Sequence, residues 1–288
     1  MKGIVLAGGK GTRLYPLTLS VSKQLMPIYD KPMIYYPLAT LIAAGIQDIL
    51  IISTPEDLPL FQRLLGDGSR WGCTLRFAEQ VAPKGLAEAF LIGEDFIGNE
   101  DVALILGDNL FYGSKQLEQL KQNRKPKGGQ IFAYQVKDPQ RYGVVEFDEN
   151  KQAIGLEEKP TRPKSSYAVP GLYLYDNTVI EKAKSLSPSK RGELEITEIN
   201  QQYLAEGKLR VTPLELGATW LDTGTIESLT AAGQYVQAIQ SRQGVLVGSP
   251  EIAAYRSGAI TKQELQQLAT QQAESNYGKA INAFVSNE

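Results

Sequence analysis

Short apolar runs alternate with amphipathic stretches through the first half of the chain, and that alternation predicts the fold class. Residues 4–7 read as a buried strand that Gly8–Gly11 break. Residues 33–44 read as helix, 49–53 as strand, 59–65 as helix, 74–78 as strand, 86–92 as helix and 102–106 as strand. Unbroken Val/Ile/Leu strands separated by helices belong to a mostly parallel sheet with helices on both faces, because only such strands bury both sides. The expected class is therefore α/β and Rossmann-like, a class in which ligands bind beyond the carboxyl ends of the strands.

After Gly128 the pattern changes. Residues 130–136 read as strand, and 143–147 and 153–157 as two strands of a hairpin turning at Asp148-Glu-Asn-Lys151. Residues 167–175 read as one strand, 176–183 and 195–205 as helices, and 210–213 as a last strand; from Thr225 the chain is largely helical. The simplest organisation is one α/β domain over residues 1–240, a ligand-binding part over about 1–128 and a β-rich substrate-binding insertion over about 129–240. A helical tail follows over 241–288.

Composition narrows the chemistry. The chain has 288 residues, enough to bury a core without disulfides, and 30 basic against 32 acidic residues give a net charge of −2. Without a basic excess, neither nucleic acid nor a membrane surface is expected as a partner. Cys73 is the single cysteine, and no segment reads as a signal peptide or a bilayer span, so a reducing, cytoplasmic setting is expected. The sequence contains no histidine, which excludes a Ser-His-Asp triad, a Cys-His pair and histidine-ligated metal. Chemistry is left to carboxylates, Lys, Arg, Tyr, backbone amides or a hard metal.

Three motifs could carry it. The loop after the first strand, Gly8-Gly-Lys-Gly-Thr-Arg13, can be a tight turn or a phosphate loop. It is not a Walker A loop, because Lys10 is followed by Gly11, and it is not a dinucleotide fingerprint, because Leu14 stands where the third glycine belongs. Asp108, in Leu104-Ile-Leu-Gly-Asp-Asn109, and Asp222, in Trp220-Leu-Asp-Thr-Gly-Thr225, each follow a short apolar segment. Either alone could be a turn residue or a helix cap. At strand ends of one sheet, they could share a magnesium ion, which takes the rest of its oxygens from phosphate and water.

Leu6-Ala-Gly-Gly-Lys-Gly-Thr-Arg-Leu-Tyr-Pro-Leu-Thr18 with Ser22-Lys-Gln-Leu-Met-Pro27 resembles the sugar-phosphate nucleotidyltransferases, and the resemblance extends over nearly the whole chain. It implies transfer of dTMP from dTTP to glucose 1-phosphate, giving dTDP-glucose and pyrophosphate for dTDP-rhamnose-type deoxysugar synthesis. It implies Mg²⁺ on Asp108 and Asp222, with Arg13 and Lys23 as the other catalytic residues. The nucleotide would meet Leu6, Gly8, Gly9, Gly11, Thr12, Arg13, Gln24, Gln80, Gly85, Asp108 and Asn109, with Gln80 on the thymine. The sugar phosphate would meet Tyr142, Gly143, Glu158, Lys159, Val169 and Arg191. Also implied are a homotetramer and a second nucleotide site at Tyr112, Gly113, Glu118 and Arg256, where dTDP-rhamnose inhibits. At that second site the sequence departs from the family, with Ile252 in place of a glutamate and Ser114 in place of a histidine. The rival readings are a uridylyl- or adenylyltransferase of the same fold and a non-catalytic sugar-nucleotide sensor. A dinucleotide-binding dehydrogenase is disfavoured by the missing glycine.

Overall fold

The computed structural model describes residues 1–113 and 125–288. Among the described residues the strands are β1 (Lys2–Leu6), β2 (Pro27–Ile28), β3 (Lys31–Pro32), β4 (Asp48–Ser53), β5 (Thr74–Glu79), β6 (Val102–Leu106), β7 (Asn109–Tyr112), β8 (Gly129–Gln135), β9 (Gly143–Phe147), β10 (Ala153–Glu158), β11 (Tyr167–Ala168), β12 (Leu172–Tyr175), β13 (Leu209–Pro213) and β14 (Thr219–Asp222). Four of them, in the order β5-β4-β1-β6, are parallel throughout. The order reverses at the β1/β6 junction, where the carboxyl ends leave a crevice. Beyond β6 the sheet continues through antiparallel β12 to β8, which β13 joins in parallel. The far end of β8 pairs with β11, and through it the sheet reaches β9 and β10.

Successive side chains of a strand point to opposite faces, and the central strands fill both. Val5, Ile49, Ile51, Ala103 and Ile105 share one core with the helix Tyr35–Ala43 and with Ala253, Leu265, Leu268, Ile281 and Val285 of the tail helices. Ile4, Leu6, Leu50, Ile52, Val102 and Leu104 share the other with the helices Glu88–Ile92, Val179–Ser185 and Ile196–Ala205. The tail thus completes one face of the sheet, and the helix Ile226–Gln243 runs across the expected boundary at 240. No helix among the described residues is long and apolar enough to cross a membrane.

The structure alters three expectations. The strand expected over 167–175 is two strands, because Pro170 lacks an N–H and the Gly171 amide donates instead to Asn109 Oδ1 at 3.0 Å. The helix expected from 176 starts at Val179, because Asp176 Oδ1 accepts from the Thr178 amide in a turn. The two aspartates do not end strands of one sheet. Asp108 follows β6, whereas Asp222 ends β14, which among the described residues pairs only with β7 in a separate two-stranded ribbon that sets Asp222 opposite Asn109.

Candidate active site

A cavity of about 380 Å³ opens at the carboxyl ends of β1 and β6. Its walls include Leu6, Gly8, Gly9, Arg13, Lys23, Gln24, Gln80, Gly85, Asp108 and Asn109 at one end, with Tyr142, Gly143, Glu158, Lys159, Val169 and Arg191 at the other; Asp222 also lines it. Gly11 and Thr12 continue the glycine loop but do not line the cavity.

A Cβ at Gly8 would sit 2.4 Å from Gln80 Oε1, so a side chain there would displace the Gln80 amide. The buried Gln80 amide therefore lies directly against the loop, and its Nε2 donates to Glu88 Oε2 at 2.7 Å. One face of this amide is thus fixed and its carbonyl is directed at the glycine loop. Gly85 is constrained too. Its φ is +107°, and a Cβ there would come within 2.5 Å of the Leu194 backbone, which receives Ala87 N–H and donates to Lys84 O. The loop carrying Gly85 is thereby bolted to the segment 189–197.

Asp108 accepts from the Lys23 ammonium and, at 2.8 Å, from Asn109 Nδ2. Burial opposes its ionisation, but the Lys23 charge and these two hydrogen bonds outweigh it and hold the carboxyl below its ordinary range. Asp222 is pushed the other way, first by burial and then by the negative charge of Asp108, with Lys23, Arg141 and Arg13 only partly compensating. Asn109 spends its side chain inside the protein: Oδ1 accepts from the Gly171 amide and from Trp220 Nε1, which fixes the amide that orients Asp108. Gln24 is likewise buried, donating to Gly8 O at 3.3 Å and accepting from Ser22 Oγ at 2.8 Å.

At the other end, Glu158 closes β10 and accepts from Thr197 Oγ1 at 2.6 Å. Lys159 follows in a left-handed backbone conformation, φ 44°, with its amide bonded to Tyr142 O. A non-glycine residue held there marks a site where the surroundings dictate the backbone. The Val169 amide donates to Gly143 O, so these two backbone groups face each other rather than the cavity. The Tyr142 ring packs edge-on against Trp220, and its hydroxyl lies 3.3 Å from Asp222. Arg191 is gripped by Glu195, whose carboxylate accepts from Nε and Nη2.

Sequence reasoning missed Arg141, Thr197, Glu195 and Trp220 as cavity residues. Arg141 sits between Asp138 at 2.9 Å and Asp222 at 3.3 Å. The signal for Arg141 and Trp220 was adjacency, since they directly precede Tyr142 and Leu221-Asp222. For Glu195 and Thr197 nothing in the local pattern separates a site residue from the helix start they occupy.

A second, larger cavity of about 480 Å³ lies elsewhere, on the face covered by the tail. It is mostly apolar, and Tyr112, Gly113, Ile252 and Arg256 line part of it. The Arg256 guanidinium lies over the Phe284 ring, and Tyr112 donates to Gln243 Oε1 at 3.0 Å. Glu118 and Ser114 fall outside the described residues. The half-buried carboxylates and the cations converge instead in the smaller cavity.

The glycine loop at the strand-order reversal, two half-buried carboxylates of opposite perturbation and the polar far end make this cavity the candidate active site. The family model described as "Nucleotidyl transferase" matches residues 2–238. Over all 288 residues, 100% of both chains, the protein is 57% identical to a glucose-1-phosphate thymidylyltransferase of Mycolicibacterium smegmatis. It is 55% identical to that of Neisseria meningitidis over 282 residues, 98% of each chain. A Bacillus anthracis structure assigned as a glucose-1-phosphate thymidylyltransferase, solved with a sucrose, superposes with a TM-score of 0.76 at 41% identity, covering 82% of this chain and 94% of that one. A UDP-glucose pyrophosphorylase solved with UDP-glucose gives 0.71 at 25% identity, covering 82% and 98%. The chain belongs to the nucleotidyl transferase family and, within it, to the glucose-1-phosphate thymidylyltransferases.

Proposed function

We propose that the protein transfers dTMP from dTTP to glucose 1-phosphate, releasing pyrophosphate and forming dTDP-glucose for dTDP-rhamnose-type synthesis, as a cytoplasmic homotetramer. The observation that carries this reading is a single cavity with a fixed amide at one end, the Lys23–Asp108–Asp222 cluster and a Glu158–Lys159–Arg191 end. Gln80 reads the pyrimidine edge, since an amide both donates and accepts. Glu158 accepts from sugar hydroxyls, and Lys159 and Arg191 hold the sugar phosphate. That phosphate oxygen is already an anion near neutral pH, so its attack on the α-phosphorus needs no general base, in keeping with a chain that lacks histidine. The new oxygen–phosphorus bond forms in line as the bond to the β-phosphate oxygen breaks. Arg13 and Lys23 spread the charge of the transferring group.

The carboxylate pair fits Mg²⁺. Asp222 is destabilised as an anion by Asp108, a repulsion that a dication between them would relieve, and two carboxylates leave the remaining octahedral positions to phosphate and water. When bound, the ion supplies charge neutralisation on the phosphates. Among the described residues no group of three His, Cys, Asp or Glu could hold a metal. The decisive experiment is pyrophosphate release measured over four nucleotides and several sugar 1-phosphates. Preference for UTP or ATP, or absence of turnover, would overturn the reading.

Lys159→Ala is expected to raise KM for glucose 1-phosphate with little change in KM for dTTP. A charge-assisted hydrogen bond is worth about 1.5–3 kcal/mol, and the Lys159 side chain is 45% exposed, so the lower end applies, about tenfold. Steady-state kinetics with each substrate varied in turn check this. An effect confined to dTTP would reverse the two ends of the cavity.

The second cavity is proposed as the feedback site for dTDP-rhamnose, with Arg256 pairing with the diphosphate and Tyr112 packing on the base. Inhibition should be non-competitive with dTTP in the wild type and about tenfold weaker in Arg256→Ala. Competitive inhibition unchanged by the substitution would remove the support for this site.

A further inference from the structure

We infer that two neighbouring carboxylates act on Arg191 in opposite senses: Glu195 is a positioning residue that aims its guanidinium at the sugar phosphate, and Glu193 is a displaceable occupant that the phosphate replaces. The inference rests on placing the sugar phosphate at the Lys159–Arg191 end of the cavity.

Glu195 is built to stay. Its Oε1 accepts from Arg191 Nε at 3.1 Å and Nη2 at 2.8 Å, and its Oε2 accepts from Nη2 at 2.7 Å. Ser189 Oγ donates to Oε1 at 2.7 Å, so the carboxylate is locked from a second side. Its side chain is only 10% exposed. The backbone is locked as well. Glu195 stands at the N-cap position of the helix Ile196–Ala205, and Leu194 before it is bonded on both sides to the loop that carries Gly85. A shared buried carboxylate with this geometry fixes the plane of a guanidinium, as a bidentate pair does.

Glu193 differs in each respect. It meets Nη2 at 3.0 Å, but its side chain is 41% exposed. An ion pair in contact with water gains little and yields little when broken. Glu158 Oε1 also lies 3.5 Å from Nη2, so three carboxylates surround one guanidinium. All three carboxylates crowd Nη2, so a phosphate dianion drawn to that nitrogen is repelled by each of them; the exposed Glu193 loses least by leaving, whereas releasing Glu195 would strand a buried charge.

The two substitutions should therefore move the same constant in opposite directions. In Glu195→Gln, KM for glucose 1-phosphate should rise about tenfold, with a smaller change in kcat and in KM for dTTP. In Glu193→Gln it should fall about threefold, because the phosphate no longer competes. In an Arg191→Ala background, neither substitution should change KM further, since both act through the guanidinium. Glu195→Asp keeps the charge but shortens the reach, and it should also raise KM; it carries the same cycle if Glu195→Gln does not fold. Glu193 and Glu195 variants moving KM the same way, or either effect persisting undiminished without Arg191, would overturn the inference. Lys159→Ala in the same assay separates the two layers. If it leaves KM for glucose 1-phosphate unchanged, the placement of the sugar phosphate has failed; if it raises KM and Glu195→Gln does not, only the role of Glu195 has.

Discussion

Asp108→Asn and Asp222→Asn should each lower kcat by about three orders of magnitude, yet move thermal stability in opposite directions. Each removes one anionic ligand from the proposed Mg²⁺ site, a loss of several kcal/mol of charge stabilisation at about 1.36 kcal/mol per tenfold. The effect on stability follows from their surroundings. Asp108 is held below its ordinary range by Lys23 after burial has been overcome, so its ionised form favours the folded state above the unfolded pKa. Asparagine forfeits that and leaves the Lys23 ammonium without its partner. Asp222 is raised by burial and by Asp108, so its ionised form costs folding energy near neutral pH, and asparagine relieves that cost. In metal-free buffer the Tm of Asp108→Asn should fall and that of Asp222→Asn should hold or rise. Mn²⁺ binding, followed by the resonance of the free ion with dTTP present, should weaken in both. Near-wild-type turnover in either variant would end the assignment of the pair.

Lys23→Ala should reduce kcat by about 10²–10³, the range for losing one preorganised charged donor from a transition state. Its side chain is only 13% exposed, so water does not replace the lost charge well. Lys23→Arg should not restore turnover, because a planar guanidinium does not fit where a compact ammonium meets Asp108 between the glycine loop and β6. Single-turnover measurements at saturating substrates distinguish this from a binding defect. A Lys23→Ala variant that lost only affinity, with kcat intact, would place Lys23 away from the transferring phosphate.

The sequence made the central sheet legible because burial on both faces writes strands as unbroken apolar runs: the expected strand 102–106 coincides with β6, and those at 49–53 and 74–78 miss β4 and β5 by one residue. The break at Pro170 was visible in principle, since a proline inside a strand pattern argues against continuity. The β7–β14 ribbon was not visible. Four-residue strands have no period of their own, and the partner of Asn109 lies more than a hundred residues away. The glycine loop, Lys23 and the two aspartates were legible as motifs, and Gly8, Gly9, Lys23, Asp108 and Asp222 line one cavity. Arg141 and Glu195 were not, because their significance lies in which charge they touch, and that is set by the fold.

The ribbon also joins an early and a late part of the chain, Asn109–Tyr112 with Thr219–Asp222. The groups of the first half proposed to face the phosphates, from Gly8 to Asp108, leave the ribosome early. Asp222 can take its place opposite Asn109 only after β14 has been made, and between them the chain must lay β12 against β6 and β8 against β12. Pairings of such long sequence separation incur the loop-closure cost before any contact returns it, so they form late. A nascent chain halted before residue 219 would have a nearly complete set of loops and half a carboxylate pair. With Asp108 and Asp222 as the proposed carboxylate pair, catalytic competence is expected to arrive late in folding. Activity regained on dilution from denaturant is accordingly expected to lag behind the return of secondary structure.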